Sequence, residues 1–245
     1  MERLNRTELD KIATPIVDSV EKNNKENAVL EIARLADNFI ITRFEGDPSN
    51  EILDQVYRLR SEVFINELGW VLSKEDEEKE KDKYDASAVH FVALQKDSEK
   101  VAGYLRLIRP EDSFMFENEF RDLLSKFDLE TLKSRKLESV EISRLVLRKD
   151  LRGGFTGLSL NMSLYKEMYR WSLENKNRYL YMVTTQKLLR SLQRFFPCTP
   201  IGVSKKYQKE HDEAIAAVID IRDAENKSKK ENPKFFEWFF KVGIK

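Results

Sequence analysis

Glu141, Ser143 and Arg144 stand together in Val140-Glu141-Ile142-Ser143-Arg144-Leu145-Val146-Leu147, a run whose apolar residues predict a central, buried strand. A carboxylate in such a place needs a partner, or burial raises its pKa. A paired carboxylate can position an amine, and one with a raised pKa can take a proton from it. Alternate strand residues share a face, so Glu141 and Ser143 point one way and Arg144 the other, unless a twist or bulge brings it round. Arg106 poses a similar problem: it sits in Tyr104-Leu105-Arg106-Leu107-Ile108, where an inward arginine requires a partner. Asp82 and Asp85 are close enough in sequence to face one site within a turn, or they are ordinary turn and cap residues. With Arg60, and with Glu141 and Arg144, they would balance as an electrostatic cluster. Phe64 and Trp70 are core residues, or an aromatic face against which a cation can bind.

The elements that must position these residues follow from periodicity and punctuation. Residues 7–38 read as a helical extension, capped by Thr7 and broken near Asn23-Asn24. A strand over 39–44 turns at Gly46, Asp47 and Pro48 into an amphipathic helix over 51–68. The charged run 73–83 reads as a solvated loop. Strands over 89–94 and 101–108 form a hairpin around Asp97-Ser98-Glu99. A helix over 114–127 and the strand over 140–147 follow, then a glycine-rich loop, Arg152 to Gly157, and a helix over 158–174. A strand over 179–183, a helix over 185–195, a strand over 214–221 and an aromatic tail over 233–240 complete the order. The expectation is an α/β (α+β) fold, a mixed central sheet flanked by helices, with a right-handed crossover between the strands at 140 and 179. The chain divides into an N-terminal helical extension (1–38), a main domain (39–222) and a C-terminal linker with the aromatic tail (223–245).

Composition sets outer bounds. The 245 residues carry 43 basic and 43 acidic side chains, so no bulk charge favours nucleic acid or a membrane. Cys198 is the sole cysteine, which rules out an intrachain disulfide, and its setting between Pro197 and Pro200 suits a small buried residue better than a catalytic thiol. Met1 to Asp10 lacks an apolar core of the kind a secretory signal needs, so the expected address is the cytoplasm. His90 reads as a satisfied strand histidine and His211 as solvated; no metal-ligand spacing appears.

Taken in order, Arg60 with Phe64 and Trp70, Asp82 with Asp85, Gly103 with Arg106, Phe120, and Glu141-x-Ser143-Arg144 resemble the signature of acyl-homoserine-lactone synthases, the LuxI-type autoinducer synthases of quorum sensing. The long-chain N-acyl amino acid synthases share much of it. The resemblance runs from about Phe39 to about Asp220 and implies a GNAT-like acyltransferase. It implies Glu141, Ser143 and Arg144 as the catalytic set, and Arg60, Phe64, Trp70, Asp82, Asp85, Arg106 and Phe120 as the substrate-binding set. No tightly bound cofactor is implied; the substrates would be an acyl thioester and S-adenosylmethionine. Arg152-Gly153-Gly154-Phe155-Thr156-Gly157 departs from the pattern of acyl-CoA-dependent GNAT enzymes, which favours acyl-acyl carrier protein over acyl-CoA as donor. An acidic carrier protein calls for a basic docking surface, for which Arg148, Lys149, Arg152, Arg190 and Arg194 are candidates, with Lys205, Lys206 and Lys209 further on. A free amino acid as acceptor, or a GNAT-like domain that only binds, are the alternatives. His90, the N-terminal extension and the aromatic tail are the features that set the chain apart from the autoinducer synthases. The tail is expected mainly to pack on the core, with a second chain, a lipid surface or the acyl tunnel as other uses. Oligomeric state stays open.

Overall fold

The computed structural model describes residues 25–48, 50–71, 78–111, 113–206 and 213–241. Of the expected N-terminal helix, residues 7–24 lie outside these, as do Lys209 and His211. The remainder is α1, Lys25–Ala36, with Val29 and Ile32 buried on its inner face.

The sheet has seven strands in the order β1-β2-β3-β4-β5-β7-β6: β1 Phe39–Glu45, β2 Val89–Gln95, β3 Val101–Ile108, β4 Ser139–Leu147, β5 Tyr179–Thr185, β6 Cys198–Lys206 and β7 Glu213–Asp220. All neighbours are antiparallel except β4 and β5. That parallel pair is joined by α5, Gly154–Glu174, the long helix such a connection requires. This is the expected mixed, GNAT-like sheet. β6 was foreseen only as a strand entry at Cys198, which is buried. Gly202 on β6 has φ +67°, and a Cβ there would sit 1.9 Å from the Leu123 carbonyl oxygen, so no other residue fits.

One face of the sheet is covered by α2, Glu51–Arg60, whose first turn is capped by Asn50 accepting from the Ile52 N–H at 2.7 Å. The helix predicted over 51–68 does not stay α-helical. From Ser61 to Glu67 it widens into a π-helical turn, a form frequent at functional sites. The other face is covered by α5 and α1, which build the larger core with Phe91, Leu105, Ile142, Leu180 and Met182.

Two further helical expectations are corrected. Residues 114–127 are not one helix but α3 (Met115–Asn118), a 3-10 turn and α4 (Lys126–Arg135). The break falls where Ser125 and Asp128 form a reciprocal capping box and start a new helix. The glycines Gly154 and Gly157 are not loop; they are the first turn of α5, after Gly153 at φ +91°. The helix α6, Gln186–Gln193, begins at Thr185 as expected. The C-terminal segment contains α7 (Ile221–Glu231), α8 (Pro233–Phe236) and a second π-helical turn, Glu237–Lys241.

Candidate active site

Arg106 on β3 and Arg60 at the end of α2 are fully buried, and the turn carrying Asp82 and Asp85 lies between them. Asp85 Oδ1 receives Arg60 Nη1 and Arg106 Nη1, each at 2.6 Å. Asp82 is held by both terminal nitrogens of Arg106, at 2.6 and 2.9 Å, the bidentate geometry that makes such pairs strong. The carboxylates also shape their own turn, because Asp85 Oδ2 accepts from the Asp82 N–H and Asp82 Oδ1 from the Tyr84 N–H. His90 braces it from below. Its Nε2 lies 3.1 Å from the Asp85 carbonyl, which can only accept, so Nδ1 takes the Tyr104 hydroxyl at 2.8 Å. Burial lowers the His90 pKa and keeps this ring neutral.

Arg144 reaches the same cluster because β4 is bulged. Against β3 the register runs Tyr104 to Val146 and then Arg106 to Ser143, so Arg144 and Leu145 oppose Leu105 alone. Arg144 takes a left-handed φ of +55°, a strained state for a residue with a side chain. Its guanidinium lies 5.3 Å from the Phe64 ring centre, with Trp70 tilted against Phe64 at 6.1 Å. It pairs with Asp82 at 3.0 Å and with Glu80 at 2.9 Å. Glu80 also receives Arg60 Nε at 2.5 Å. Sequence reasoning missed Glu80, which is buried although it lies in a charged run read as solvated. Two aspartates facing three arginines were the only signal for a further carboxylate.

With Glu80 included, three guanidiniums face three carboxylates. Burial pushes the Asp82 and Asp85 carboxyls up. The arginines more than offset that and hold both below the usual carboxylate range. Glu141 is left outside this balance. It accepts from the Met115 backbone N–H instead. Burial drives its pKa up to about 8, and Met115 and the Arg106 charge pull it only partly back. The Ser143 hydroxyl, on the same face of β4, receives Arg106 Nε at 3.0 Å.

β4 and β5 are paired only from Ser139 to Ile142; beyond that they part. A cavity of about 570 Å³ opens at this gap. Phe64, Trp70, Glu80, Asp82, Phe120, Glu141 and Arg144 line its charged side. Met168, Tyr169, Met182, Leu192, Phe239 and Phe240 line an apolar side. The expected catalytic residues, and the expected binding residues Phe64, Trp70, Asp82 and Phe120, therefore share one cavity; Arg60, Asp85 and Arg106 stand directly behind its wall. Gly103 lets β4 pass close, since a Cβ there would meet the Leu147 side chain at 2.7 Å. Cys198 is apart from the site, and burial raises its thiol pKa to about 12.

The basic candidates divide. Arg148 is tied to Asp150 at 2.7 Å, and Arg152 to Glu67 at 2.5 Å and to the Leu147 carbonyl. Lys149, Arg190 and Arg194 are exposed. Lys205 and Lys206 end β6.

Residues 59–161 match the acetyltransferase (GNAT) domain family. The acyl-homoserine-lactone synthase of Rhizobium radiobacter is 30% identical over 157 residues, covering 62% of this chain and 72% of that protein. That of Aliivibrio fischeri (strain ATCC 700601 / ES114) is 27% identical over 182 residues, 74% of this chain and 91% of that one. Among solved structures, BjaI, a CoA-dependent acyl-homoserine lactone synthase, superposes with a TM-score of 0.62 at 23% identity, over 78% of this chain and 88% of its own, and so shares the fold. An acyltransferase sheet, a charged pocket where its strands part and a relative matched over most of its length agree: the chain belongs to the acyl-homoserine-lactone synthase family.

Proposed function

We propose that the protein transfers a fatty acyl group from acyl-acyl carrier protein to the amine of S-adenosylmethionine and that the product closes to an acyl-homoserine lactone. The amine nitrogen attacks the thioester carbonyl, and Glu141 takes the amine proton, directly or through water. The carbon–sulfur bond breaks, the thiol leaves with a proton, and an amide remains. The methionine carboxylate then displaces the sulfonium sulfur from its own γ-carbon, forming the lactone ring and releasing methylthioadenosine.

The observation that carries this reading is Glu141. It is a buried carboxyl in the wall of a cavity, with a pKa raised to about 8. Its ionised form, a minority at neutral pH that grows as pH rises, is the form that takes the amine proton, and the raised pKa makes that form a stronger base than an ordinary carboxylate. Three features support it. The bulge at Arg144 disturbs the strand ladder beside Glu141, where backbone N–H groups can meet an oxyanion. Phe64 and Trp70 offer ring faces to a sulfonium. The apolar side of the cavity suits an acyl chain. The exposed cations Lys149, Arg190 and Arg194 are the proposed contacts for an acidic carrier. A domain that only binds would not need three buried arginines and three carboxylates in one cluster.

Mass spectrometry of purified protein incubated with S-adenosylmethionine, or with mixed amino acids, and with carrier-bound or CoA-bound donors tests the reading. The expected product is an acyl-homoserine lactone, formed fastest from the carrier-bound donor. Acyl amino acids alone would overturn the acceptor, and a preference for acyl-CoA would overturn the donor.

A further inference from the structure

The C-terminal aromatic tail does not act as one patch. Trp238 turns to α5, with Lys166 Nζ 4.8 Å from its ring centre. Phe235 packs behind the site, 5.4 and 6.0 Å from Phe195 and Phe196. Phe239 and Phe240, though adjacent, both line the apolar side of the cavity. They lie in the π-helical turn Glu237–Lys241. Both are buried and set 4.8 Å apart, nearly edge to face.

Their neighbours hold them in place. Phe240 meets the Tyr169 ring edge-on at 5.0 Å, and Phe239 lies 5.2 Å from Phe196. The Tyr169 hydroxyl is tied to Glu225 on α7 at 2.6 Å, which locks α5 to the C-terminal segment. Ile221 and Ala224 of α7 line the same end of the cavity. The charged groups lie on β4 and in the 80–85 turn, whereas this end is closed by the π-helical turn Glu237–Lys241. Apolar walls of this kind discriminate chains by length, because each methylene that fits or fails to fit changes binding.

We infer that Phe239 and Phe240 are specificity-determining residues that end the acyl compartment and set the longest straight acyl chain the enzyme accepts. This rests on reading the cavity as an acyl site. Shortening either ring deepens the compartment; enlarging Phe240 shortens it.

The test compares the full-length wild type with Phe239→Ala, Phe240→Ala and Phe240→Trp in two measurements. One is the product profile from an equimolar mixture of straight-chain acyl-carrier donors of graded length. The other is displacement of a fluorescent fatty acid by free fatty acids of the same lengths, which needs no turnover. Both alanine variants are expected to gain roughly ten-fold or more in relative preference for chains one or two methylenes beyond the wild-type optimum. The tryptophan variant is expected to lose the longest chains. If an alanine variant does not fold, Phe239→Leu and Phe240→Leu take its place, with the same direction of change. Folded variants that keep the wild-type length optimum in both measurements overturn the inference and leave the proposed function standing. A wild type that binds fatty acids with a length optimum but makes no product overturns the proposed function, and the inference is then judged on displacement. A wild type that neither turns over nor binds fatty acids overturns both.

Discussion

On the α2 side of the sheet the cavity wall is a lattice of charges; on the α5 side it is apolar and aromatic. In the lattice every group answers to a named partner at a fixed distance, as when Asp85 receives both Arg60 and Arg106 at 2.6 Å. On the apolar side Met168, Met182 and Leu192 are held by packing, and each could be another apolar residue of similar size. The difference teaches where this protein is intolerant. Removing one charge from the lattice strands its partner in a buried place, whereas replacing one apolar side chain by another re-forms the wall with a changed shape.

The largest effect belongs to the group that the lattice leaves out. Glu141→Gln keeps size and burial but cannot accept a proton, so turnover should fall by roughly 10²–10⁴ with the fold intact. Initial rates beside circular dichroism would check this, and wild-type turnover in the variant would remove Glu141 as the base. Next comes the lattice itself. Asp85→Ala leaves two buried guanidiniums short of a partner and should cost roughly 3–5 kcal/mol in urea unfolding. A loss under about 1 kcal/mol, the level of a surface pair, would show that the cluster is not the tight unit described. Met182→Leu on the apolar side should cost less than about 1.5 kcal/mol by the same measurement, and a loss as large as that of Asp85→Ala would erase the contrast.

A further effect is in pH dependence, where the lattice carboxylates and Glu141 should show opposite signs. Asp82, Asp85 and Glu80 have folded pKa values below their unfolded ones. The stability they contribute is complete above the ordinary carboxylate range and is lost as pH falls through the folded values. Glu141 has a folded pKa raised from 4.5 to about 8, so its contribution is complete below 4.5 and is lost as pH rises through 8. Glu141→Gln should therefore gain on the wild type in thermal melts as pH rises over that window. A difference that does not change with pH would contradict the raised pKa.

Much of the charged side was legible in the sequence because arginine and glutamate are costly inside apolar strands. Arg106 and Glu141 each sit among residues that mark a buried strand, so each demanded an explanation. Glu80 was not legible, since in a run of charges a buried carboxylate looks like its solvated neighbours. The bulge at Arg144 is a property of the pairing between β3 and β4, and no single strand's pattern records it. The break between α3 and α4 is written in Ser125 and Asp128, three residues apart as a reciprocal cap requires. The tail announced itself by composition, yet which rings face the cavity depends on a π-helical turn that adjacent phenylalanines do not specify.

The central claim is that three arginines are balanced by three carboxylates and that burial leaves Glu141, outside that balance, mostly protonated at neutral pH, with the ionised fraction acting as base. Carbon-13 NMR titration of the glutamate carboxyls, with Glu141 assigned by its absence in Glu141→Gln, tests it most directly. A Glu141 carboxyl that titrates near 8 is the predicted result. Titration near the ordinary glutamate value of about 4.3 would contradict the account.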